Sequence, residues 1–167
     1  RFEDVPLPLR CRPDRFPPQP GHLMDFARFT SAATVRFCTE QAAALRRANP
    51  DWLVFHNGLF AHLDYWQLAE PLTCLGVDLY PGFGGERRAQ RAWTAFKLEQ
   101  CRAHSGSFLI PELMSGAPGS REMVTETPEP GQMRLWAWQC VAPGADGIFH
   151  FQWRTARLGQ ELYWRGV

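Results

Sequence analysis

Hydrophobic positions along the chain alternate between short unbroken apolar runs and longer stretches in which they recur every three or four residues. The runs predict buried strands and the stretches predict helices. From His22 to Ala48, Leu23, Phe26, Ala27, Thr30, Ala33, Thr34, Phe37, Gln41, Ala44 and Leu45 advance by three or four. This predicts a helix with those residues inward and Arg28, Arg36, Glu40 and Arg46 on a solvated face, stopped at Asn49-Pro50. Trp52 to Asn57 reads as a buried strand ending in His56-Asn57. A short helix follows from Asp64, its N-cap, to Leu72. Cys74 to Pro81 is a second strand, with Asp78, Tyr80 and Pro81 at its end and a loop through Gly82, Gly84 and Gly85. Glu86 to His104 reads as a helix with Ala89, Trp93, Phe96 and Leu98 or Cys101 inward. Phe108 to Glu112 is a third strand, closed by a carboxylate, and a long loop then runs to Pro130. Gln132 to Val141 is an aromatic-rich helix, Asp146 to Arg154 a fourth strand, and Gln160 to Trp164 the start of a last helix. Ahead of all this, residues 1–20 carry Pro6, Pro8, Pro13, Pro17, Pro18 and Pro20, an extended lead-in from which helix is excluded.

One helix and then four strand–loop–helix units predict an α/β fold with a parallel sheet. All four strands end in polar or aromatic groups: His56-Asn57, Asp78 to Tyr80, Glu112, and Gln152 to Arg154. Working groups gathered at one end of every strand suit a TIM barrel better than a doubly wound sheet. No G-x-G-x-x-G follows any strand, which argues against a dinucleotide site. A closed barrel needs eight strands and typically ~250 residues, so this chain supplies about half of one. Half a barrel leaves two sheet edges and an apolar interior open, which demands a partner. Within this frame Glu112 is a catalytic candidate, a carboxylate delivered by the last residue of a buried strand. A surface glutamate that happens to follow a strand is the plainer reading of the same pattern.

Composition narrows the classes. A chain of 167 residues suits one domain, and 45% hydrophobic with 13% aromatic residues allows a sizeable core. A net charge of +1 gives no mark of nucleic-acid or anionic-membrane binding, and no apolar run is long enough to span a bilayer. Five cysteines without a C-x-x-C pair argue against a zinc cluster and for free thiols in a reducing compartment, the cytoplasm. Seven tryptophans serve packing or the stacking of sugar rings, and the count alone does not choose. Arg1 is not a secretory start and, without an initiating Met, reads as an internal position of a longer protein.

At Pro130-Gly-Gln-Met-Arg-Leu-Trp-Ala-Trp-Gln139, Gly144-Ala-Asp-Gly147 and Phe151-Gln-Trp-Arg154 the chain resembles glycoside hydrolase family 42, the β-galactosidases. Arg28-Phe-Thr-Ser31, Ala44-Leu-Arg46 with Asn49-Pro50, Phe55-His-Asn57 and Asp78-Leu-Tyr-Pro81 agree in order. The resemblance spans nearly the whole chain. It implies the C-terminal half of a (β/α)8 catalytic barrel, strands five to eight with their helices, over residues 21–167. It also implies that Glu112 is the nucleophile, that Glu161 binds galactose, and that Tyr80 and Phe151 are sugar contacts. The acid/base glutamate of that family lies in an Asn-Glu pair, and no such dipeptide occurs here. Departures are Gln152 where Arg is common, Trp164 where His is common, and no Trp between Ser115 and Glu129. The family's zinc cysteines follow the acid/base residue, so neither metal nor other cofactor is expected. A homo-oligomer, often a trimer in that family, is implied.

Retaining glycosidases use two carboxyl groups about 5–5.5 Å apart, one attacking the anomeric carbon, the other acting as acid and then base. Arg154 and Arg121 are candidate cations beside Glu112. Asp78 reads as structural, His56 as a satisfied histidine at the rim, and the Trp136 and Trp138 pair as core packing. With one carboxylate of the pair, this chain alone is expected not to turn over galactosides. The expectation is therefore the nucleophile-bearing part of a retaining β-galactosidase, completed by the missing N-terminal half or by another copy of the chain. The alternatives are a non-catalytic galactoside-binding relative and a half-barrel that pairs with itself.

Overall fold

The computed structural model describes residue 8 and residues 19–58, 60–82, 87–117, 119–120, 123–124 and 127–167. In chain order it contains α1 (Pro20–Ala48), β1 (Phe55–His56), α2 (Tyr65–Ala69), β2 (Cys74–Gly76), α3 (Arg87–Ser105), β3 (Phe108–Met114), β4 (Gly119–Ser120), β5 (Met123–Val124), α4 (Gln132–Val141), β6 (Gly147–Phe151) and a 3-10 turn (Gln160–Tyr163). Most of the proline-rich lead-in, Cys11, Gly84, Gly85 and Arg121 lie outside the described residues. The chain divides into two compact units, one of residues 1–52 and 60–71, the other of residues 53–59 and 72–167.

The first unit holds α1 and α2. Pro20 takes the first helical position of α1, where its missing N–H is not needed, and the Gln19 side chain accepts from the His22 amide at 2.9 Å. Asp64 caps α2 by accepting from the amides of Trp66 and Gln67, as its position predicts. Its own amide donates to Ser31 Oγ of α1 at 2.8 Å. The inward face of α1 differs from the expected one. Cys38 and Ala42 are buried, whereas Phe37 and Leu45 are 60% and 43% exposed. The helix carries apolar residues on two sides, so periodicity fixed the helix but not its rotation, and the small side chains turned inward.

The second unit is organised by a four-stranded sheet in the order β1-β2-β3-β6, parallel throughout. Each sheet strand lies beside the next one in sequence, with no reversal of winding direction such as divides a doubly wound sheet. α3 packs on β2 and β3, and α4 on β3. The core is Leu75, Leu98, Cys101, Phe108, Ile110, Leu113, Met114 and Cys140, each at most 1% exposed. Phe108 and Ile110 share one face of β3, as the two-residue repeat of a strand requires. On α3 the inward residues are Thr94, Leu98 and Cys101, while Trp93 and Phe96 are exposed, a second correction of the same kind. On α4 Trp136 is buried and Trp138 is 64% exposed, so only the first of the pair packs in the core.

At the N-terminal end of β3, Asp146 Oδ2 accepts from Ser107 Oγ at 2.6 Å and from the Phe108 amide at 3.1 Å, which ties the start of β6 to that of β3. Gly76 is required by close approach: a Cβ there would sit 2.6 Å from Pro111 Cγ. β1 and β6 are the edges of the sheet among the described residues, and they are less buried than their apolar runs predict. Phe55 is 39% and Phe149 55% exposed. β6 also ends at Phe151, so Gln152, Trp153 and Arg154 follow the strand rather than complete it. The long loop after β3 contains the antiparallel β4–β5 pair. Cys38, Cys74, Cys101 and Cys140 are free and buried, and burial pushes the Cys101 thiol up to about 12.

Candidate active site

The register of β3 against β6 shifts between Ile110 and Leu113. Pro111 and Glu112 fall inside that shift. Proline has no N–H to give the ladder, and a bulge re-aims the side chain next to it. The Glu112 carbonyl accepts from the Leu79 amide at 2.8 Å, and the Met114 amide donates to the Leu79 carbonyl at 3.0 Å. The chain beyond β2 is thus held against β3, with Asp78 and Tyr80 on either side of Leu79.

The result is a direct contact: the Tyr80 hydroxyl donates to Glu112 Oε2. Burial first, and then the carboxylate it faces, push the Tyr80 hydroxyl well above the ordinary phenol range; Asp78 and Glu161 act in the same sense. Glu161, on the 3-10 turn, is thereby placed within electrostatic reach of Tyr80. Trp164 follows that turn and completes the group. Its ring meets Tyr80 edge-on at 4.9 Å and Phe151 at 5.7 Å. Tyr80, Glu112, Phe151 and Glu161, which come from four separate places in the sequence, therefore gather at one end of the sheet. Arg154 is exposed and forms no ion pair with Glu112 among the described residues.

Asp78 was read as structural and His56 as a satisfied histidine at the rim. Asp78 Oδ2 accepts from Asn57 Nδ2 at 2.8 Å, while Oδ1 is buried without a hydrogen-bond partner among the described residues. Burial, then the charge of Glu112, push the Asp78 carboxyl up to about 6, against a downward pull from Asn57. Among the described residues His56 Nδ1 is likewise buried without a hydrogen-bond partner, where a satisfied histidine was expected. The strand-end pattern pointed to both residues, but an unmet hydrogen bond cannot be read from local sequence.

A carboxyl raised from 3.8 to about 6 on folding favours the folded state fully below pH 3.8, and this contribution is lost as pH rises through about 6. Asp78→Asn keeps an acceptor for Asn57 and removes the charge. The variant should match the parent in stability near pH 3 and exceed it at pH 7 by about 1 kcal/mol after solvent screening, read from thermal midpoints. Parallel midpoint-against-pH curves for the two proteins would rule this out.

A parallel sheet wound in one sense, with polar and aromatic side chains gathered at one end, places the chain in the α/β class and suits part of a (β/α)8 barrel. The chain belongs to glycoside hydrolase family 42, whose model, described as beta-galactosidase, matches residues 1–167. It is 34% identical over 182 residues to a beta-galactosidase of Thermus thermophilus, covering 99% of this chain and 28% of that protein. It is 32% identical over 184 residues to beta-galactosidase BgaH of Haloferax lucentense, covering 99% of this chain and 26% of the relative. Among solved structures, the beta-galactosidase of the psychrophilic Marinomonas ef1 superposes with a TM-score of 0.85 at 26% identity, over 99% of this chain and 27% of that one. The enzyme of the Antarctic haloarchaeon Halorubrum lacusprofundi gives 0.80 at 29% identity, over 92% and 26%. The chain spans about a quarter of the length of the relatives it matches.

Proposed function

We propose that this chain is the nucleophile-bearing part of a retaining β-galactosidase that releases terminal β-D-galactose by double displacement. The observation that carries the proposal is the Tyr80 hydroxyl donating to Glu112 Oε2 at a strand end where Phe151, Trp164 and Glu161 converge. In this reading one Glu112 oxygen is held by Tyr80 and the other attacks the anomeric carbon. The bond to the leaving oxygen breaks as the glycosyl–Glu112 ester forms, and water then attacks the same carbon to release galactose and restore the carboxylate. Glu161 binds sugar hydroxyls, and Tyr80 and Phe151 line the sugar. The acid/base carboxyl comes from outside residues 1–167. The four sheet strands are strands five to eight of the barrel, and the open edges β1 and β6 meet its other half, or another copy of the chain, within a homo-oligomer.

Trapping tests the assignment. A 2-fluoro-galactoside with a good leaving group forms the ester and hydrolyses slowly. Peptide mapping of the complete enzyme after such treatment should place the label on Glu112, and a label on any other carboxylate would remove Glu112 from the role.

A further inference from the structure

We propose that Trp164 is a positioning residue for the nucleophile, a brace whose indole holds Tyr80 against Glu112. This rests on the reading of Glu112 as the attacking carboxylate. The Trp164 amide donates to the Glu161 carbonyl at 3.0 Å, and its carbonyl accepts from Gln152 Nε2 at 3.4 Å. The next residue is laced to the loop after β3: the Arg165 amide donates to the Ala117 carbonyl at 3.2 Å, and its carbonyl accepts from Ser115 Oγ at 2.9 Å. Close approach permits the lacing, since a Cβ on Gly116 would lie 2.8 Å from the Arg165 carbonyl oxygen. Hydrogen bonds to the backbone of Trp164 and of the next residue, from main chain and side chains, thus set its position, and none of those named uses the indole.

The indole faces Tyr80 and Phe151, at 71° and 89° to their planes. Edge-to-face contacts fix ring orientation because the positive edge of one ring seeks the negative face of the other. A tyrosine has two soft torsions, and one hydrogen bond at its far end does not set both. The Trp164 contact supplies the missing constraint, so the hydroxyl meets Glu112 in one geometry. Misplacing a reacting group by about 1 Å costs on the order of 100-fold in rate. Trp164 acts through Tyr80 and need not touch the sugar.

The test is a double-mutant cycle in the complete enzyme, read as kcat and KM separately and as the rate of ester formation with the 2-fluoro-galactoside. Trp164→Leu fills the space without an aromatic edge and should lower kcat about 10- to 100-fold with KM within about 3-fold. Trp164→Phe restores an edge and should recover most of the loss. In a Tyr80→Phe background, Trp164→Leu should cost less than about 2-fold, because the hydroxyl it positions is gone. Equal losses in both backgrounds would overturn the proposal, as would a rise in KM at unchanged kcat, which would make Trp164 a sugar contact. Failure of Phe to rescue would do the same, since packing alone would then explain the loss. If the parent is labelled at Glu112 and the cycle is additive, only the brace fails; if Glu112 is never labelled, the reading beneath it fails.

Discussion

Glu112→Ala should reduce hydrolysis of a galactoside by at least about 10⁴-fold in kcat/KM in the complete enzyme, equivalent to roughly 5.5 kcal/mol of lost transition-state stabilisation. The size of the effect follows from the role proposed. No other described carboxylate touches Tyr80 as Glu112 does, and Asp78 is held by Asn57. Removing the carboxylate removes the covalent step itself rather than one contact among several. Folding should be little affected, since Glu112 is only part-buried and its main-chain bond to Leu79 survives the substitution. The vacated space also offers a sharper readout. A small anion such as azide, added at high concentration with an activated β-galactoside, should enter where the carboxylate stood and attack from the same side. The product would be the α-galactosyl azide, because one displacement inverts where two retain. Activity of Glu112→Ala within a few-fold of the parent, without azide, is incompatible with a nucleophile.

The second large effect is on stability. Phe108→Ala should destabilise the protein by about 3–5 kcal/mol, seen as a lower urea midpoint with little change in slope. Phe108 is 0% exposed, heads the core by side-chain volume, and opens the strand that carries Glu112, which runs on to Met114 rather than ending at the carboxylate as the sequence predicted. Its amide is also held by Asp146, so the backbone around a truncated side chain is not free to collapse into the cavity. A variant losing less than about 1 kcal/mol would mean that this site relaxes far more easily than cores usually do.

Much of the architecture was legible along the chain because it is written in local periods. Strand and helix repeats arise from backbone sterics that every residue feels, so the order of helix and sheet strands, the Asp64 cap and the stop at Asn49 could be read directly. Glu112 stood out for the same reason, as a carboxylate at the end of an apolar run. Where apolar residues lie on two sides of a helix, the period is present but its phase is not. Phe37, Trp93 and Phe96 were expected inside and are exposed, while Cys38 and Thr94 are buried; Leu98 and Cys101 are buried as expected. Large aromatic side chains raise the apolar signal of whichever face carries them, and only the packing partner selects the face.

By itself, then, the sequence determined an alternating α/β chain with polar groups at its strand ends and a resemblance to one hydrolase family. Tertiary structure decided the strand order β1-β2-β3-β6, that the ladder slips at Pro111-Glu112, and that Tyr80 reaches Glu112. It also decided that Trp164, noted in the sequence only as an unusual residue, stands between Tyr80 and Phe151. The physical reason is range. Local geometry is set by neighbours a few bonds away, whereas these contacts join segments tens of residues apart and exist only once strand register and loop closure have brought them together.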